Sequence, residues 1–162
     1  MTDEKHNTAT GEFQDPLENY DSPAYDDPLE HALIEETVSA IRHEPFATIP
    51  PDTPVQRAMA TLASLRIGCL LVAEGEHLVG VFSNRDVLVK VADEYEQPKD
   101  QPVSQFMTAD PVYVYDTDSS AAALCVMAVS GYRHVPVLDM DQAIVGIVSP
   151  QRVTAFLQKH FE

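Results

Sequence analysis

A unit of about 55 residues occurs twice, and a repeat of that length restricts the fold more than any other property of the chain. The segment Gly80-Val81-Phe82-Ser83-Asn84-Arg85-Asp86 returns imperfectly 66 positions later as Gly146-Ile147-Val148-Ser149-Pro150-Gln151-Arg152. Upstream of it, Val55, Ala58, Met59, Leu62 and Ala63 form an apolar stripe at helical spacing. Shifted by 65 positions, the stripe becomes Ser120, Ala123, Leu124, Met127 and Ala128. Each copy reads as strand, helix, strand, strand, helix. One copy is too small to cover both faces of its own sheet. The expected fold is therefore α/β (α+β): two pseudo-symmetric β-α-β-β-α repeats packed sheet to sheet.

Residues 1–30 carry nine acids against the single Lys5, with Pro16, Pro23 and Pro28 and few aliphatics. Such a segment cannot bury enough apolar surface to offset its ordering entropy, so a disordered acidic tail is expected over 1–28. From Leu29, the spacing of Leu33, Ile34, Thr37, Val38 and Ile41 predicts a short helix ending near His43. Repeat 1 with this lead-in occupies 29–97, and its expected parts are a strand at Phe46–Ile49, the Val55 helix, and the hairpin Cys69–Val72 with Leu78–Phe82. A helix opened by Asp86 closes it. After a polar linker, repeat 2 with its own lead-in fills 98–162. Its expected strands are Val112–Tyr115, His134–Leu138 and Ile144–Val148.

The formal charge of −16 argues against a nucleic-acid partner, because phosphate backbones are bound by lysine and arginine. No apolar run approaches the roughly 20 residues needed to cross a bilayer, and the polar start lacks a secretory pattern. No membrane role and a cytoplasmic location are expected. Cys69 and Cys125 lie in apolar runs without a C-x-x-C spacing and are expected to be buried free thiols. The histidines show no metal-ligand spacing. With no G-x-S-x-G elbow and no phosphate loop, no catalytic role is expected.

Ser83 and Asp86 carry the chemistry. The serine can cap the helix that follows while the aspartate sits in its first turn. A hydroxyl beside a carboxylate also suits a vicinal diol, because the carboxylate accepts where the diol donates. Ribose is such a diol.

The tandem repeat, the Gly80–Asp86 signature, the stretch Gly131-Tyr132-Arg133-His134-Val135-Pro136-Val137 and the lead-in Val103–Thr108 together resemble a pair of CBS domains, a Bateman module, over about residues 33–160. The resemblance implies a regulatory module that binds AMP, ADP, ATP or S-adenosylmethionine between the repeats, with no catalytic cofactor. It assigns Ser83 and Asp86 to the ribose, Val81, Val112 and Tyr113 to the adenine pocket, and Arg133 with His134 to phosphates. Arg133 and His134 tilt the expectation toward a phosphorylated ligand, mildly toward AMP over ATP. The resemblance also implies a homodimer and a regulated protein partner, and the apolar helix faces beside Met59 and Met127 point to a dimer as well. A ligand-free interaction scaffold is the alternative.

The pseudo-symmetric site departs from this pattern. Thr48 and Ser149 remain, but Arg152 stands where the ribose acid belongs, and Gly68 and Cys69 replace Arg133 and His134. An arginine accepts no hydrogen bond. One nucleoside ligand per chain is expected, with the second site empty, weak or altered in ligand.

Overall fold

The computed structural model describes residues 24–44 and 46–161. The expected tail over 1–28 lies mostly outside these residues. Asp27 caps the first helix, α1 (Pro28–Glu35), by accepting from Leu29 N at 2.8 Å. The single helix expected up to His43 is instead broken. Glu36 is extended, and a separate 3-10 turn covers Val38–Ala40. The break has a tertiary cause: Val38 N donates to Asp118 O and Ser120 N to Glu36 O, both at 2.8 Å, so repeat 2 takes the backbone groups that a continuous helix would use.

Repeat 1 contains β1 (Thr48–Ile49), α2 (Val55–Leu65), β2 (Cys69–Glu74), β3 (His77–Ser83) and a short α3 (Asn84–Asp86). Past α3 the expected α-helix widens into a π-helical turn at Val87–Val91 and then tightens to a 3-10 turn at Ala92–Glu94. A 3-10 turn at Val103–Gln105 and β4 (Thr108–Ala109) lead into repeat 2. That repeat contains β5 (Val114–Tyr115), α4 (Ser120–Ser130), β6 (Val135–Leu138), β7 (Ile144–Val148) and α5 (Pro150–Lys159).

Two sheets result, one in the order β1-β2-β3-β4 and one in the order β5-β6-β7. In each, the first strand runs parallel to the second, and the second and third form an antiparallel hairpin. The sheets meet through Cys69, Leu71 and Val81 of repeat 1 and Ile147 of repeat 2, which form one buried cluster.

The lead-ins cross over. Val38 and Ile41, ahead of repeat 1, are buried with Val135, Val137 and Phe156 of repeat 2. Val103, ahead of repeat 2, is buried with Val55, Leu70 and Phe82 of repeat 1. Strand β4 extends the repeat 1 sheet by pairing Thr108 with Val81 and Ala109 with Gly80. Gly80 leaves room for this crossing, because an added Cβ would lie 2.3 Å from Met107 Sδ.

Cys69 is buried as expected, but Cys125 is exposed on α4, because that helix is apolar beyond the face it buries. Burial, and then the Asp86 charge, push the Cys69 thiol up to about 12, so it stays protonated. Among the described residues, no helix is long and apolar enough to cross a membrane.

Candidate functional site

The end of β3 and the first turn of α3 form a reciprocal cap. Ser83 N donates to Asp86 Oδ2 at 2.9 Å, and Asp86 N donates to Ser83 Oγ at 3.4 Å. The Ser83 hydroxyl donates to the same Oδ2 at 2.6 Å. The other oxygen, Oδ1, accepts from Lys90 Nζ at 2.7 Å and from Thr108 Oγ1 at 3.0 Å. Asp86 is only 6% exposed, so a buried carboxylate is ringed by four donors. Burial pushes its carboxyl up, but the Lys90 ammonium and the Ser83 hydroxyl and amide outweigh burial and hold it below the usual carboxylate range. It is charged at neutral pH.

Two of those donors are hydroxyls, which rotate at little cost. A diol that displaced Ser83 Oγ and Thr108 Oγ1 would find the amide and the ammonium still holding the carboxylate in place. Lys90 is fixed more firmly, because its ammonium also donates to Phe106 O at 2.9 Å and to Met107 O at 3.0 Å.

Sequence reasoning missed both Lys90 and Thr108. The i, i+4 spacing to Asp86 was a local signal for Lys90. Thr108 had none, since it arrives through the pairing of β4 with β3.

Arg133 and His134 lie just ahead of β6. His134 is brought against the Ser83–Asp86 turn: a Cβ on Gly68 would lie 2.9 Å from His134 Cε1 and 3.8 Å from Asn84 Nδ2. Gly68 O in turn accepts from Asn84 N at 3.0 Å. Burial, and then the positive charge of Arg133, hold His134 below its ordinary histidine value. Its pH effect has a definite sign. The unfolded chain takes up this proton near pH 6.5 and the folded chain resists it, so folding is penalised as pH falls below about 6.5. Between pH 7.5 and 5.5 the wild type is expected to lose more thermal stability than His134→Gln. Equal losses in thermal melts would show that His134 titrates as freely as in the unfolded chain.

A cavity of about 680 Å³ opens beside Arg133 and His134, walled also by Arg66, Asn84, Val87 and Gln151. Asn84 and Val87 flank Asp86, which does not itself line the cavity. The adenine-pocket residues are divided. Val81 is buried beside Thr108, whereas Val112 and Tyr113 precede β5 and are exposed. Tyr113 stacks edge-on against Tyr115 and lines a separate cavity of about 210 Å³ beside His77 and Gln142.

The pseudo-symmetric position is an inverted copy. His43 stands where repeat 2's lead-in has Thr108, and it bridges to Ile147 as Thr108 pairs with Val81. Arg42 fills the space over Gly146 that Met107 fills over Gly80. Here, however, Arg152 Nε donates to His43 Nδ1 at 3.2 Å, so a cation stands where the first site has its acceptor. Ser149 is the N-cap of α5 but makes no side-chain cap bond, and Thr48 is exposed on β1. Among the described residues, no group of three or more His, Cys, Asp or Glu side chains gathers as metal ligands.

The chain matches the CBS domain family twice, over residues 38–93 and 103–159. It is 30% identical over 111 residues to a CBS domain-containing protein of Arabidopsis thaliana, CBSCBSPB1, covering 68% of this chain and 20% of that one. The chain thus spans about a fifth of the length of the first curated relatives it matches. Among solved structures it is similar to a CBS domain protein from Pyrobaculum aerophilum complexed with AMP, at 26% identity and a TM-score of 0.68, covering 76% of this chain and 96% of that one. It is also similar to CBSX2 of Arabidopsis thaliana in complex with AMP, at 26% identity and a TM-score of 0.66, covering 76% and 97%.

Proposed function

Because the chain belongs to the CBS domain family and carries two such domains in tandem, we propose that it is a regulatory module binding an adenosine-containing ligand at the Ser83–Asp86 turn. The observation that carries this reading is the buried, charged Asp86, ringed by exchangeable hydroxyls within the same turn that meets His134 of the other repeat. The AMP complexes of two similar proteins support an adenine nucleotide over other diols. Ser83 and Asp86 take the ribose, and Thr108 joins them. Val81, Val112 and Tyr113 offer the adenine surface, with Arg133 and His134 on the phosphate side. AMP, ADP, ATP and S-adenosylmethionine share these ribose and adenine contacts.

The second position, with Thr48, Ser149 and Arg152, lacks a diol acceptor, which supports one nucleoside per chain. The exposed apolar side chains Leu88, Val89 and Val129 support a homodimer. A ligand that favours one arrangement of the repeats over another would change how a protein partner is held, and only its differential affinity sets the size of that change. A cytoplasmic location and a role without catalysis fit this reading.

The test is a thermal-shift series with adenosine, AMP, ADP, ATP and S-adenosylmethionine. At about 100 times its dissociation constant a ligand adds about 2.7 kcal/mol, an upward shift of about 5 to 10 °C for a chain of this size. A shift with at least one of them is expected. No shift with any would leave the ligand-free scaffold as the better reading.

A further inference from the structure

We propose that Arg66 and Arg133 form a clamp for a polyphosphate group, so that the cavity beside the Ser83–Asp86 turn takes a nucleoside di- or triphosphate in preference to a monophosphate. The assignment of an adenine ligand rests on the reading above; the clamp rests on three further observations. The first is composition. The chain has 26 acids against 10 lysines and arginines, yet the 680 Å³ cavity is walled by two arginines and a histidine and by no carboxylate. A surface drawn at random from this chain would be acidic, so cationic walls mark a place kept for an anion.

The second is pairing. Among the described residues, Arg42, Lys90, Lys99 and Lys159 each form an ion pair, whereas Arg57, Arg66, Arg85, Arg133 and Arg152 have no carboxylate within ion-pair distance, and of these five Arg66 and Arg133 are the two that line the cavity. Their guanidinium donors are open to a ligand.

The third is backbone conformation. Arg66 ends α2 in the left-handed region, at φ 54° and ψ 40°. The equivalent end of α4 uses Gly131, at φ 67°, the residue that adopts this conformation without steric penalty. Repeat 1 thus carries an arginine where the local geometry favours glycine. The side chain at this strained position faces the acid-free cavity, which fits a binding role for its guanidinium.

The size of the ligand follows from the donors. A guanidinium engages two phosphate oxygens side by side. Arg133 with His134 already suffices for the oxygens of a single phosphoryl group. A second arginine, from the other repeat, needs further phosphoryl oxygens, and the cavity has volume for them. Arg66 comes from repeat 1 and Arg133 from repeat 2, so an extended phosphate chain would also bridge the two.

The experiment is calorimetric titration of the full chain with ATP, AMP and inorganic tripolyphosphate, using wild type, Arg66→Gly and Arg66→Lys. Glycine suits the left-handed position, so Arg66→Gly is expected to melt at or above the wild-type temperature. The clamp predicts that wild type binds ATP more tightly than AMP. It also predicts that Arg66→Gly weakens ATP by about tenfold while changing AMP by less than about twofold, with Arg66→Lys in between. If nucleotides bind but Arg66→Gly leaves ATP untouched or weakens AMP as much, the clamp is wrong and the nucleotide reading stands. If tripolyphosphate binds wild type and not Arg66→Gly while no nucleotide binds, the clamp stands and the adenine reading fails. If nothing binds, both fail.

Discussion

Asp86→Ala is expected to lower folding stability by about 2–4 kcal/mol and to remove nucleotide binding in the same step. The stability loss follows from the geometry already in place without ligand. The carboxylate is 6% exposed and accepts from Ser83 N, Ser83 Oγ, Lys90 and Thr108. Truncation strands the Ser83 amide and leaves Lys90 with only the Phe106 and Met107 carbonyls. A chain that bound nothing would still be weakened, so tolerance of this substitution does not by itself separate a sensor from a scaffold.

The pH dependence isolates the charge. Asp86 titrates below the usual value, so its contribution is present above the unfolded pKa of about 3.9 and fades as pH falls through the folded pKa. Chemical denaturation of wild type and Asp86→Ala is expected to show a gap that holds from pH 7 to about 4 and closes below it. A gap under about 0.5 kcal/mol at pH 7 would mean that the donors around Asp86 do not stabilise the fold. Binding should then be read with Thr108→Val, which removes one exchangeable hydroxyl and leaves the cap intact.

Val103→Asp is expected to cost more than about 4 kcal/mol, enough to threaten the cooperative unfolding of a domain whose total stability is about 5–15 kcal/mol. Val103 is 0% exposed among Val55, Leu70 and Phe82, where a carboxylate would find no partner. The location of the damage is the sharper test. Val103 precedes repeat 2 in sequence but packs in the core of repeat 1, so hydrogen exchange should show protection lost first in β2 and β3. Protection lost first in β5, β6 and β7 would contradict the crossed lead-ins. Met140→Asp, at a position 70% exposed, is the control and should change stability by less than about 0.5 kcal/mol.

Much of the architecture was legible from local pattern. The stripe from Val55 to Ala63 gave α2 from Val55 to Leu65, and the two apolar runs around Glu74-Gly75-Glu76 gave the hairpin of β2 and β3. These signals depend on neighbours within a few residues, where periodicity and turn chemistry act directly. The helix expected through Val38 failed because its backbone groups are taken by Asp118 and Ser120, some 80 residues away. Cys125, expected to be buried, is exposed because an apolar run does not say which of its faces meets the core.

Taken alone, the sequence determined the repeat, the order of its elements, the cap at Ser83 and Asp86, and the loss of the acid at Arg152. Only the tertiary structure decided that each lead-in completes the other repeat's core, that Thr108 reaches Asp86, that His43 faces Arg152, and that Arg66 shares an acid-free cavity with Arg133. The physical reason is common to all four. Hydrophobic spacing tells a residue to be buried but not against which partner, and a charged side chain carries no record of which distant group will stand beside it until the chain is packed.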